Sequence, residues 1–215
     1  MNETNTERTG ITPTNAQDDR ATPPRADATR EHLRALHARL ERDAAERGLL
    51  DVAYRLVDSP VGGLLIAATE RGIVRVAFER EGFDDVLQVL AERVSPRILE
   101  SPARLERAAA ELGEYFERRR TEFDLPLDFA LSHGFRGEVQ RMLPTISYGR
   151  TTSYARLADA VGRPRAFRAV GSACATNPLP LVVPCHRVLR GDGSLGGYVG
   201  GLDAKRALLS LEAAA

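Results

Sequence analysis

Ser153-Tyr154-Ala155-Arg156-Leu157-Ala158-Asp159-Ala160-Val161-Gly162-Arg163-Pro164-Arg165-Ala166-Phe167-Arg168-Ala169-Val170-Gly171-Ser172-Ala173-Cys174-Ala175-Thr176-Asn177-Pro178 contains two short helix patterns with a turn between them. Ser153 is suited to cap the first helix, which carries Leu157, Ala158 and Val161 before Gly162 stops it. Pro164 is suited to the first turn of the second, which runs to Asn177-Pro178. Helical spacing puts Phe167, Val170 and Cys174 on one face, expected to pack inward, and Arg165, Arg168 and Ser172 on the opposite face. The stretch reads as a helix-turn-helix. Its second helix is basic and small on the outside, which fits insertion into a DNA groove and fits equally well a small-residue helix packed on its neighbour. Cys174 lies on the inward stripe, so a buried, inert thiol is expected.

Downstream, Leu181-Val182-Val183 is short and apolar enough for a buried strand, and Pro184-Cys185-His186-Arg187-Val188 follows it. An imidazole can deprotonate a thiol, and a thiolate is a soft nucleophile suited to attack on carbon. In a regular strand adjacent side chains face opposite ways, so cooperation between Cys185 and His186 requires a turn here or a bridging water. The glycine-rich run Gly191 to Gly201 lacks the Lys-Ser/Thr ending of a phosphate-binding P-loop; it suits a phosphate cradle or a wrap around a small pocket. Asp203 is placed to cap a last helix bearing Leu208, Leu209, Leu211 and Glu212, and Lys205, on that helix, is the chain's only lysine.

Upstream, residues 1–28 are polar and proline-containing and read as a disordered tail. Leu33, Leu36 and Leu40 predict a short amphipathic helix within residues 29–49. Strands are expected over Val52 to Val57, Gly63 to Thr69 and Ile73 to Phe78, the last two joined by a hairpin turn at Glu70-Arg71-Gly72. Two helices follow, one with Phe83, Val86, Leu87, Leu90, Ala91 and Val94 on its apolar face, the other with Leu105, Ala109, Leu112 and Phe116. Phe123, Leu125, Leu127 and Phe129 alternate as in a half-buried strand. Phe135, Val139, Met142 and Leu143 mark another helix, which Pro144 ends or kinks. A boundary near residue 131 separates a mixed α/β domain, residues 50–130, from a mainly helical one, residues 131–215.

The 215 residues are 43% hydrophobic and 28% charged, with no apolar run approaching the roughly 20 residues of a membrane span, and the N-terminus lacks a secretory core. A soluble, cytoplasmic protein is expected. Two cysteines make no disulfide framework. The formal charge is zero overall, but residues 1–133 hold 19 Arg against 25 acidic residues and residues 134–215 hold 11 Lys/Arg against 5. Only the second part suits a polyanion, and charge alone does not decide the matter.

Pro184-Cys185-His186-Arg187-Val188, preceded by Asn177-Pro178 and followed by Gly197-Tyr198-Val199-Gly200-Gly201-Leu202, resembles the active-site signature of the O6-alkylguanine-DNA alkyltransferases. Ser153-Tyr154, Arg168-Ala169-Val170-Gly171 and Glu212 stand at that family's spacing, and the resemblance spans about residues 50–212. It implies a ribonuclease-H-like N-terminal α/β domain with a small antiparallel sheet and helices. It also implies a mainly α, winged-helix-like helix-turn-helix domain. The activity implied is irreversible transfer of a methyl or other alkyl group from O6 of guanine in duplex DNA, with O4 of thymine an alternative position, to a cysteine. The minor groove is bound and the damaged base flipped out. By position Cys185 resembles the acceptor, His186 the base acting through a water, Glu212 the group orienting it, and Asn177 the brace of the turn. Tyr154 resembles the residue that crowds the phosphate and donates to guanine; Arg168 resembles the one that fills the vacated stack. Ser153 resembles a phosphate contact, and Tyr198 and Val199 resemble pocket walls. Arg165 and Ser172 share the outward face with Arg168. No cofactor, metal or obligate protein partner is implied, since both cysteines are C-terminal and His32, His37 and His133 are scattered.

Three other readings compete. A non-repairing sensor of alkylguanine would lack the acceptor cysteine, which is present. A cysteine hydrolase needs a spatially separate base, which an adjacent His after Pro-Cys supplies poorly. A transcription factor would need a dimerisation segment that the chain does not display.

Overall fold

The computed structural model describes residues 24–213. Most of the expected tail, residues 1–23, lies outside them. The chain divides into a unit ending at Leu40 and a second from Glu41 onward. Helix α1, Pro24–Glu46, opens with proline at its first position, where the missing N–H costs nothing. Its stripe of Leu33, Leu36 and Leu40 is exposed.

From residue 50 the chain builds a four-stranded sheet in the order β3-β2-β1-β4, from β1 Val52–Val57, β2 Leu64–Thr69, β3 Gly72–Phe78 and β4 Ile98–Glu100. The first three pair antiparallel as expected, whereas β4 pairs parallel with β1, so the sheet is mixed. Three residues are too few for β4 to show a period in the sequence. Gly72 closes the β2–β3 turn at φ 138°, and a Cβ there would meet the Pro126 carbonyl oxygen at 2.2 Å. That approach explains a correction: residues 123–129 are not a strand. Pro126 has no N–H to give a ladder, and pairing reduces to a single bridge between Ile73 and Leu127.

Helix α2, Phe83–Arg93, buries Val86 and Leu90. Helix α3, Glu106–Phe116, buries Leu112 as expected, together with Ala108, Tyr115 and the Glu111 carboxylate, while Phe116 packs half-buried against the core. Helix α4, Gly134–Met142, ends in a 3-10 turn through Pro144. Then come β5 Thr152–Ser153, α5 Tyr154–Ala160, α6 Phe167–Ala175, β6 Val188–Leu189 and α7 Gly201–Ala213. Ser153 caps α5 as expected, accepting from the Arg156 N–H at 3.2 Å. Helix α6 starts at Phe167 rather than near Pro164, which lies in the turn, and it ends at Ala175. One hydrophobic core runs through both halves, from Leu64, Ile66 and Val76 of the sheet to Val139, Val170, Val183 and Leu208.

Candidate active site

The run Leu181–Val183 is a turn, not the expected strand, and Leu181 sits at φ 74°, a left-handed conformation that a branched side chain occupies only under constraint. Asn177 supplies part of that constraint. Its Nδ2 donates to Val183 O at 2.8 Å and its Oδ1 accepts from Leu179 N at 3.0 Å, so one side chain spans the turn. The first half holds the same turn from outside, through Val76 N and Arg75 Nη1 donating to Pro178 O. Cys185, His186 and Arg187 then form a single 3-10 turn, which breaks the strand alternation that would have sent Cys185 and His186 apart.

Cys185 is 2% exposed, and Asn177 Nδ2 donates to its Sγ at 3.2 Å. Burial pushes the thiol up to about 11, although the Asn177 hydrogen bond and the nearby Lys205 charge oppose it. Lys205 is fully buried and donates to Val188 O at 2.7 Å, just past the turn. His186 is completely buried; burial pulls its pKa below the ordinary imidazole value, with Glu212 pulling the other way. Its Nε2 lies 2.8 Å from Glu212 Oε1, and its buried Nδ1 has no partner among the described residues. A neutral imidazole facing a carboxylate donates through Nε2 and so leaves Nδ1 as an acceptor.

Glu212 is at the end of α7 and is 2% exposed. Burial alone would raise its pKa, but donors from His186, Arg187 and Tyr115 bring it down to about 2. Arg187 grips both carboxylate oxygens and also donates to Ile146 O at 2.5 Å. Parallel pairing of Thr152 with Val188 and Ser153 with Leu189 lays the start of α5 along the exit of the Cys185–Arg187 turn. Tyr154 therefore reaches the glycine-rich loop, where a Cβ on Gly196 would stand 2.1 Å from its hydroxyl. Gly200 likewise admits the Phe78 ring, so two of these glycines serve close packing. Tyr198 stands edge-on to His186 at 6.3 Å, and Val199 lines a cleft with Asn177, Pro178 and Arg75.

Arg165, Arg168 and Ser172 are exposed, as expected, while Val170 and Cys174 are buried. Phe167 corrects the inward assignment: it is 47% exposed at the first position of α6, with the Arg168 guanidinium over its ring at 5.8 Å. The helix begins there, so the core has no preceding turn to enclose the ring. The sequence alone assigns no role to Arg187, Tyr115 or Lys205. Arg187 stood inside the quoted pentapeptide and Lys205 was the solitary lysine, whereas nothing local singled out Tyr115.

The chain matches the family model described as 6-O-methylguanine DNA methyltransferase, ribonuclease-like domain, over residues 52–129. It also matches 6-O-methylguanine DNA methyltransferase, DNA binding domain, over residues 134–214. It is 41% identical to a methylated-DNA–protein-cysteine methyltransferase of Mycolicibacterium paratuberculosis, over 75% of this chain and 92% of that one. It is also 41% identical to the bifunctional transcriptional activator/DNA repair enzyme Ada of Escherichia coli, over 76% of this chain and 46% of Ada. The crystal structure of Mycobacterium tuberculosis O6-methylguanine methyltransferase superposes with a TM-score of 0.66 at 38% identity, covering 76% of this chain and 93% of that one. The same organism's protein in complex with DNA gives 0.64 at 38% identity, covering 75% and 93%.

Proposed function

The chain belongs to the 6-O-methylguanine DNA methyltransferase family, and we propose that it repairs DNA by taking an alkyl group from O6 of guanine irreversibly onto Cys185. The observation that carries the assignment is the buried Asn177-held thiol one residue from an imidazole whose Nδ1 is open and whose Nε2 is tied to Glu212.

The chemistry follows from the pKa order. At neutral pH Cys185 is a thiol and His186 is neutral, so nucleophile and base are both in the form a coupled transfer needs. The Sγ proton passes through a water to His186 Nδ1, and Glu212 stabilises the imidazolium through Nε2. The sulfur attacks the alkyl carbon as the carbon–O6 bond breaks, and the electron pair stays on the guanine, which takes up a proton. The Tyr154 phenol, kept protonated above its ordinary value chiefly by burial, is suited to steady the departing base. The product is a thioether, which has no leaving group and ends the protein's use.

DNA is the partner, bound through the minor groove with the alkylated guanine extruded. Exposed Arg165, in the turn before α6, and Arg168 and Ser172 on the outward side of α6 support this, since a planar guanidinium at Arg168 can fill the vacated stack. Ser153, at the cap of α5, is suited to a backbone phosphate. A cytoplasmic site of action is part of the same proposal; among the described residues no helix is long and apolar enough to cross a membrane. The test is incubation with duplex DNA carrying O6-methylguanine, then intact-protein mass measurement. One added methyl per chain, mapped to Cys185, is expected. Many guanines restored per chain would refute the single-use mechanism.

A further inference from the structure

We infer that Tyr115, in the ribonuclease-like half of the chain, positions Glu212 for the reaction by donating its phenol hydroxyl to the same carboxylate oxygen that orients His186. This rests on the reading of Cys185, His186 and Glu212 just given. Tyr115 Oη and His186 Nε2 each lie 2.8 Å from Glu212 Oε1. Arg187 competes for the same group, with Nε 2.9 Å from Oε2 and Nη2 2.9 Å from Oε1. The guanidinium fork holds both oxygens strongly and leaves Oε1 free to accept further donors. The phenol approaches from α3 and holds Oε1 where the imidazole can reach it.

The hydroxyl arrives preoriented. Tyr115 is fully buried, with its ring edge-on to Phe116 at 5.4 Å and to Tyr148 at 6.0 Å. Burial, then the charge on Glu212, push the phenol far above its ordinary value, so it stays a donor across the working pH range. The groups facing Glu212 are Tyr115 from α3, His186 and Arg187 from the catalytic turn, and the Gly149 N–H with the Tyr148 ring after α4. Lys205 lies two turns back on α7, its charge bearing on His186. Each neutral donor on Oε1 disperses the carboxylate charge and weakens its hold on a proton at His186. Removing the phenol hydroxyl therefore has two consequences: Glu212 is less well placed, and His186 binds a proton more tightly.

The experiment uses the full chain with Tyr115→Phe, which keeps the ring and its packing. Single-turnover reaction with free O6-benzylguanine is followed against pH, alongside duplex affinity and thermal midpoint. The plateau rate is expected to fall roughly 5- to 30-fold, with the acid limb moved to higher pH and duplex affinity within about twofold of the parent. A lower plateau with an unmoved acid limb marks a merely structural residue and overturns the inference. So does a parent-like rate. In a Glu212→Gln background the same substitution should cost less than about twofold, because the hydroxyl acts through the carboxylate; a full independent loss there also overturns it. The 15N resonances of the His186 ring report the shift without any reaction, and an unmoved titration counts against the role. Cys185→Ala keeps the two readings apart: if that variant still forms the adduct, the acceptor assignment has failed, whereas a dead Cys185→Ala beside an unaffected Tyr115→Phe removes only Tyr115.

Discussion

Cys174 and Cys185 are both buried thiols, 5% and 2% exposed, and burial pushes both up, to about 12 and about 11. Depth does not separate them; partners do. Cys174 sits within α6 among Val170 and Ala173, on the inward stripe that its helical spacing assigned it. Cys185 sits on a 3-10 turn braced by Asn177, next in the chain to His186, whose imidazole is tied to the Glu212 carboxylate. A buried thiol becomes a nucleophile when a base is built next to it, and remains a small apolar filler when none is.

Removing each sulfur in turn separates the two thiols most directly. Cys185→Ala should abolish alkyl transfer while leaving duplex binding within about twofold, and Cys174→Ala should retain transfer. Peptide mass analysis decides it, since a methyl on Cys174 would falsify the division of roles.

Cys174 also belongs to α6, the helix proposed to meet DNA, so the next test separates extrusion from chemistry. Arg168→Ala should slow repair in duplex DNA by roughly 10- to 100-fold, about 1.4 to 2.7 kcal/mol of lost support for the flipped state. Reaction with free O6-benzylguanine needs no flipping and should be almost unchanged. Arg165→Ala serves as the control, expected mainly to weaken binding and its salt dependence. Equal losses on duplex and free base in Arg168→Ala would remove the stacking role.

Asn177→Ala attacks what distinguishes the two thiols. It strips the donor from Cys185 Sγ and leaves Val183 O and Leu179 N without their Asn177 partner in a buried turn. A loss of about 2 to 4 kcal/mol in unfolding free energy is expected by chemical denaturation, with transfer slowed roughly tenfold. Unchanged stability would show that the turn holds without its brace.

Much of this was legible in the residues. Ser153, Gly162 and the spacing of Val170 and Cys174 carry the helix-turn-helix because caps and periodicity are local signals. The pentapeptide around Cys185 marks the candidate site. What failed was what depends on distant partners. Residues 123–129 alternate like a strand, but Pro126 meets β3 through its carbonyl alone. Phe167 fell on an inward stripe, yet the helix starts at that residue. Leu181–Val183 looked like a strand because hydrophobicity reports burial and not the φ of 74° at Leu181. Tyr115 was invisible as a functional residue, since its partner Glu212 lies in the other half of the chain.

The smallest expected effect is a rate that barely changes with pH, and it separates a relayed thiol from a free one. Were Cys185 to react as a thiolate formed in bulk equilibrium, its rate would climb about tenfold per pH unit until the thiol itself ionises near 11. In the relay, the proton leaves during the reaction, and the rate needs only that His186 be neutral. Burial lowers the pKa of His186 below its ordinary value, so the neutral form is present through pH 7 and is lost only as pH falls below the imidazole range. Reaction with free O6-benzylguanine should therefore vary by less than about threefold between pH 7 and 9 and decline on the acid side. Cys174, pushed up to about 12 and given no base, should show the steep climb toward a small neutral alkylating reagent in a Cys185→Ala background. Parallel steep profiles for the two thiols would mean that His186 takes no proton from Cys185.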